Sequence, residues 1–155
     1  MNDLTPQSSA KGSGQHVYEY IRLLVAETSY LDAEAEWQLI DRAVFSLGVA
    51  PMDAKSYVVG AAATGGFATE TMVRRVLADI ARGMKTRRGR VGKDSFDFMV
   101  ETARSLSRRE ISEDDAKAMA RAACEKEDLR PRGRGPFRSR RWFRAPSTQP
   151  VPAEA

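Results

Sequence analysis

Length, composition and charge describe a small globular protein and exclude several classes. The 155 residues suffice for one domain, and 42% apolar against 30% charged residues suit a modest core with a solvated surface. No apolar run approaches the ~20 residues that cross a bilayer, the N-terminus lacks the apolar stretch of a secretory signal, and the single Cys124 excludes an internal disulfide. We therefore expect a cytoplasmic protein with no transmembrane segment.

The net charge of +4 is unevenly distributed along the chain. Residues 1–129 carry 18 Lys/Arg and 20 Asp/Glu, whereas residues 130–144 carry seven Arg and no acid. This asymmetry predicts that the C-terminal segment meets an anionic partner or surface.

The first half of the chain contains four predicted helices. Residues 1–14 are rich in Ser and Gly, and we expect them to be flexible. Apolar residues at helical spacing predict a helix over 15–28. A second runs from Asp32, as N-cap, to Leu47 before Gly48. A third begins at Pro51 and ends at Gly65-Gly66. A fourth, the most clearly amphipathic, begins near Thr69 and ends in a basic turn.

Two further helices and a tail complete the prediction. The fifth helix spans about 94–108 with Asp94 as its cap. The sixth follows Ser112, whose spacing from Asp115 is a capping-box pattern, and ends near Glu127. No run of alternating β-branched residues predicts a strand. We therefore expect an all-α fold: a single compact bundle of about six helices over 15–129, followed by a disordered Arg/Pro-rich tail over 130–155.

Helical periodicity also predicts which side chains are buried. The apolar stripes of the second, fourth and fifth helices contain the largest candidates. The predicted core is Trp37, Ile40, Val76, Leu77, Ile80, Met99 and Leu106.

Two segments of the chain share a short motif. Asp53-Ala54-Lys55 and Asp115-Ala116-Lys117 each open a helix after a turn, which hints at paired helical hairpins. The stretch Ile111-Ser112-Glu113-Asp114-Asp115, an acidic helix opening after a turn, resembles the tellurite-resistance TerB-like helical family. The resemblance covers at most residues 17–129, and Arg109-Glu110 and Leu31-Asp32 lack the glycine usual in that family's acidic turn. It implies an all-α fold and a membrane-associated or stress-related scaffold role, without metal ligands carried over.

The candidate binding residues are arginines and aromatic side chains of the tail, together with a basic group at residues 82–93. Arginine pairs bidentately with phosphate or carboxylate, and exposed aromatic rings stack on bases or insert at a lipid interface. The alternatives are a solubilising tail or a tail that folds back on its own body, and for the 82–93 group a simple complement to a helix dipole. The predicted partner-binding residues are Arg130, Arg132, Arg134, Phe137, Arg138, Arg140, Arg141, Trp142, Phe143, Arg144, Arg87, Arg88 and Arg90.

The remaining chemistry-bearing residues have simpler structural interpretations. His16 is the only histidine and lies beside the N-terminal segment, so we expect neither a His-based triad nor a zinc site. Cys124 falls on an apolar helix face. The acids near Glu110 to Asp115 lack EF-hand spacing and are explained as helix caps. We therefore expect no enzyme activity, no metal and no cofactor.

The sequence favours a non-catalytic helical adaptor or scaffold whose tail docks an acidic protein or an anionic membrane surface. The alternative is a nucleic-acid-binding protein that uses the tail and the 82–93 group to grip phosphates.

Overall fold

Six α-helices and four two-residue strands make up the described part of the chain. The computed structural model describes residues 10–25, 27–85, 89–132 and 141–143. The elements are α1 (Ala10–Leu24), β1 (Tyr30–Leu31), α2 (Ala33–Leu47), α3 (Pro51–Gly65), β2 (Ala68–Thr69), α4 (Glu70–Lys85), β3 (Arg90–Val91), α5 (Lys93–Leu106), α6 (Glu113–Lys126), β4 (Arg130–Pro131) and a 3-10 turn (Arg141–Phe143). The predicted all-α class is confirmed.

The chain divides into two compact units, Met1–Met72 and Val73–Ala155, with the boundary inside α4. Both units follow one internal order, in which a helix precedes a strand, two helices and a second strand. In the first unit β1 pairs with β2, and in the second β3 pairs with β4, both in parallel. Each strand pair therefore closes a helical hairpin.

Buried positions repeat between the two units. The turn before α3 and the turn before α6 both lead into Asp-Ala-Lys, and Ala54 and Ala116 at the centre of that motif are fully buried. The hairpins hinted at by this motif are thus present. Further pairs at equivalent places are both buried: Ile21 and Leu77, Leu31 and Val91, Leu39 and Met99, Ala43 and Ala103, Val58 and Ala120, Phe67 and Leu129.

The prediction that the chain has no strands is wrong at four places. A two-residue strand needs only one or two backbone bonds, so it leaves no alternating pattern in the sequence. Ala68 N donates to Ser29 O at 3.0 Å in the first unit, and Arg130 N donates to Gly89 O at 3.1 Å in the second. These two bonds occupy the same place in the two hairpins.

The helix ends follow the sequence signals closely. The Asp32 side chain accepts from Ala35 N at 2.8 Å, Gly48 ends α2 with φ of 65°, and Pro51 opens α3. The Ser112 hydroxyl accepts from Asp115 N at 3.1 Å, as the capping pattern predicts.

Two helix starts differ from the prediction. Helix α1 starts at Ala10, inside the segment expected to be flexible, while residues 1–9 lie outside the described part. Helix α5 takes Gly92 as its N-cap instead of Asp94.

Within the predicted core, Ile40, Leu77 and Met99 are buried and Ile80 is half-buried. Trp37 is 65% exposed, Val76 37% and Leu106 40%, so these three assignments are wrong.

The reason in α2 is rotation of the helix. Its buried face runs through Glu36, Leu39, Ile40 and Ala43, because Glu36 turns inward. At the end of α5, the buried residue one turn after Ala103 is the C-cap Ser107 and not Leu106. The Ser107 hydroxyl donates to Arg104 O at 3.0 Å.

Adjacent residues on α4 offer a direct test of this burial pattern. Leu77→Ala removes a fully buried side chain, and we expect it to lower the free energy of unfolding by about 2–5 kcal/mol. Val76→Ala, its neighbour on the outer face, should cost less than about 1 kcal/mol. Urea unfolding followed by circular dichroism measures both. Equal losses would show that α4 is rotated from its position here.

Candidate anion-binding edge and the C-terminal aromatic contact

The β3–β4 pair brings together arginines from two distant parts of the sequence. Arg90 lies opposite Arg130, and Val91 lies opposite Pro131. The chain continues in register beyond the strand, since Arg132 N donates to Val91 O at 2.8 Å. Arg90, Arg130 and Arg132 are exposed. Because paired residues of neighbouring parallel strands lie on one face, the Arg90 and Arg130 side chains leave the strands side by side.

This arginine edge, defined as Arg90, Arg130 and Arg132, lacks acidic partners in the part of the chain described. None of its members takes part in a salt bridge there. Two like charges on adjacent strands repel, and an anion placed between them relieves that repulsion. The arrangement therefore has the charge and geometry to bind a carboxylate or phosphate.

The other described cations of the 82–93 group have acidic partners. Arg82 and Lys85 both approach Glu127 at 3.6 Å, and Arg82 also pairs with Asp79 at 2.9 Å. Lys93 forms an ion pair with Asp97 one turn along α5. The helix-end interpretation suits Arg82 and Lys85, whereas Arg90 belongs to the arginine edge. Arg87 and Arg88 lie outside the described residues.

Trp142 and Phe143, predicted as exposed aromatic residues of a disordered tail, instead contact Phe96 of α5 within the second unit. Their ring centroids lie 5.5 and 5.3 Å from that of Phe96, which is 1% exposed, and 5.7 Å from each other. The Arg121 guanidinium lies 6.0 Å from the Phe143 ring centre. Both residues are half-buried, so their rings are engaged in aromatic packing and are not open stacking platforms.

The rest of the predicted tail site is only partly described. Arg141 belongs to the same 3-10 turn through its backbone. Arg134, Phe137, Arg138, Arg140 and Arg144 lie outside the described residues, as does most of the segment predicted to be disordered. The structure thus brings Arg90 together with Arg130 and Arg132, and it packs Trp142 and Phe143 against Phe96.

The acidic residues at the start of α6 behave as a capped helix end. Lys117 Nζ lies 2.6 Å from Glu113 Oε1 and 3.9 Å from Asp114 Oδ1. The hydrogen bond from Lys117 lowers the pKa of Glu113 and raises the pKa of Lys117. Across the described ranges, no three His, Cys, Asp or Glu side chains gather as a metal site would.

Cys124 is fully buried in α6, with its Sγ 3.8 Å from the Met99 sulfur. Burial raises the pKa of this thiol to about 11. Since the thiolate is the reactive form, Cys124 is a packing residue in the native fold.

The net charges of the two units differ in sign. Residues 1–72 carry four Lys/Arg and nine Asp/Glu, a net charge of −5, and residues 73–155 carry 21 against 12, a net charge of +9. The sequence analysis did not find this difference in charge between the two units, because it compared residues 1–129 with the segment that begins at residue 130. The Asp-Ala-Lys repeat was the available signal: extending that alignment forward pairs Ala68 with Arg130, and extending it backward pairs Leu31 with Val91 once two extra residues of the second unit are left out.

The sequence matches no protein-family profile, no curated protein and no solved structure. No helix in the ranges the structure covers is long and apolar enough to span a bilayer.

The aromatic contact can be tested by fluorescence. Trp37→Phe leaves Trp142 as the only tryptophan, and its emission should be blue-shifted in the native protein because the ring is half-buried against Phe96. Adding Phe96→Ala should shift the emission to the red and lower the free energy of unfolding by about 3–5 kcal/mol. Phe98→Ala, at an exposed position two residues along α5, is the control and should leave the emission unchanged. Solvent-exposed emission in Trp37→Phe itself would contradict the contact.

Thiol labelling tests the burial of Cys124. With a pKa near 11, the native protein should react with a thiol reagent at pH 8 far more slowly than the urea-unfolded chain. Because folding raises the pKa of this thiol, the neutral thiol contributes to the free energy of unfolding. That contribution is fully present below pH 9 and is lost as the pH rises towards 11. Rapid native labelling at pH 8, with intact circular dichroism, would refute this assignment.

Proposed function

We propose that the chain is a non-catalytic helical adaptor that binds an acidic protein segment through the arginine edge. The observation that carries the proposal is the β3–β4 register, which holds Arg90 and Arg130 side by side with Arg132 following. Two arginines held at paired backbone positions suit bidentate recognition of carboxylates. Arginines of the tail, starting with Arg134, extend the same basic stretch in the sequence.

The packing of Trp142 and Phe143 favours a protein partner over nucleic acid. Single-stranded nucleic acid is bound by combining cations with open aromatic faces, and these two rings are engaged with Phe96. Phosphate would still satisfy the charge of the edge, so nucleic acid and an anionic membrane surface are the alternatives that the experiment must separate. We further propose a cytoplasmic location. The scaffold role implied by the resemblance to the TerB-like family stays a prediction.

Binding of polyglutamate to the full chain tests the proposal. Changing Arg90, Arg130 and Arg132 together to Gln should weaken binding about tenfold or more, because charge-assisted hydrogen bonds are lost while the backbone bonds of β4 remain. The matched control changes Arg22, Arg42 and Arg75 to Gln, which removes three exposed charges elsewhere and should have little effect.

Parallel measurements with phosphatidylserine vesicles and with oligonucleotides identify the alternatives. Tight oligonucleotide binding that falls steeply with salt, alongside weak polyglutamate binding, would favour the nucleic-acid function. Vesicle binding alone would favour the membrane surface. Equal losses in the two triple variants would mean that only net charge matters, and the edge would not be the site.

A further inference from the structure

The first unit contains an apolar pocket that the proposed function does not use. Its volume is about 310 Å³, and it lies between the N-terminal turns of α2 and α3 with Thr71 of α4 beside them. The walls are Trp37, Ile40, Pro51 and Met52. Trp37 and Met52 are 65% and 76% exposed, so part of this apolar lining faces solvent.

A buried carboxylate lines this apolar pocket. Glu36 is 4% exposed, and its Oε2 accepts one long hydrogen bond, 3.4 Å from Thr71 N. No ion pair of Glu36 occurs in the part of the first unit that the structure describes, although Lys55 lines the same pocket. A carboxylate held away from water favours a cationic partner. The pocket therefore suits a guanidinium group with its apolar stem against Trp37.

In the second unit, the position equivalent to Glu36 is covered by other side chains of the chain. Phe96 occupies the position in α5 that Glu36 occupies in α2, and Trp142 and Phe143 lie on it. The 3-10 turn Arg141–Phe143 therefore packs on the first turn of α5. In the second unit this position is therefore covered by two aromatic side chains of the same chain.

A cationic segment that matches this pocket in charge belongs to the same protein. Residues 133–140 contain Arg134, Arg138 and Arg140 around Phe137 and no acid. Both flanks are held on the second unit, at Arg132 by the bond to Val91 and at Trp142 by Phe96. The first unit, with its charge of −5, is the complementary surface.

We propose that the Glu36 pocket binds an arginine of segment 133–140 from a second copy of the chain. Reciprocal exchange between two copies gives a closed twofold dimer with two identical contacts. The inference does not rest on the proposed function, because it depends on Glu36 and segment 133–140, whereas that function depends on the arginine edge.

Sedimentation across a range of protein concentrations and salt tests the pairing. The full chain should form a dimer whose dissociation constant rises with salt. Glu36→Gln should weaken the dimer about tenfold or more through loss of the charge, while its amide oxygen still accepts from Thr71 N. Changing Arg134, Arg138 and Arg140 to Gln should do the same. Glu70→Gln removes a charge from the same unit outside the pocket lining, and as the control it should leave the dimer intact.

Mixing the two defective variants gives the sharpest test. Each variant alone lacks both contacts, but a heterodimer of the Glu36 variant with the arginine variant regains one intact contact. Mixed samples should therefore dimerise more tightly than either variant alone. Trp37→Ser, at an exposed position, provides a second pocket variant if Glu36→Gln does not fold by circular dichroism. A chain that stays monomeric at all concentrations, a dimer that survives the pocket variants, or mixtures without rescue would each overturn the proposal.

Discussion

Backbone pairing between two short parallel strands is the constraint on which each unit depends. The Ala68–Ser29 bond and the Arg130–Gly89 bond each join the chain after the second helix of a hairpin to the chain before the first. Closing a loop of this length costs chain entropy, which the buried helix faces between the strands must offset. Without that closure, helices of 14 or 15 residues would have little reason to stay in place.

The two units differ in the contacts made at the start of the first helix of each hairpin, α2 in the first unit and α5 in the second. In the first unit, Glu70 Oε2 accepts from Ala33 N at 2.9 Å while Glu36 accepts from Thr71 N, so α2 and α4 each supply a carboxylate to the other's N-terminus. In the second unit, Phe96 and Trp142 replace that polar exchange with aromatic packing. The first unit therefore has the Glu36 carboxylate beside a pocket, whereas in the second unit Trp142 and Phe143 cover Phe96.

Sequence patterns predicted the helices and their caps well because those signals are local. Asp32, Gly48, Pro51 and Ser112 act within one turn of their own position, and no distant residue overrides them. Burial was less predictable. Trp37 was assigned to the core by its hydrophobicity, but Glu36 turns inward to reach Thr71 from another helix. The arginine edge depends on a register between residues 90 and 130, which no local pattern contains.

Closure through main-chain atoms tolerates different side chains at the first residue of each strand, whereas Leu31 and Val91 at the second residue are buried. Tyr30 faces Ala68 in one hairpin and Arg90 faces Arg130 in the other, with the same backbone geometry. The same main-chain closure therefore serves an acidic first unit, with a net charge of −5, and a basic second unit, with a net charge of +9.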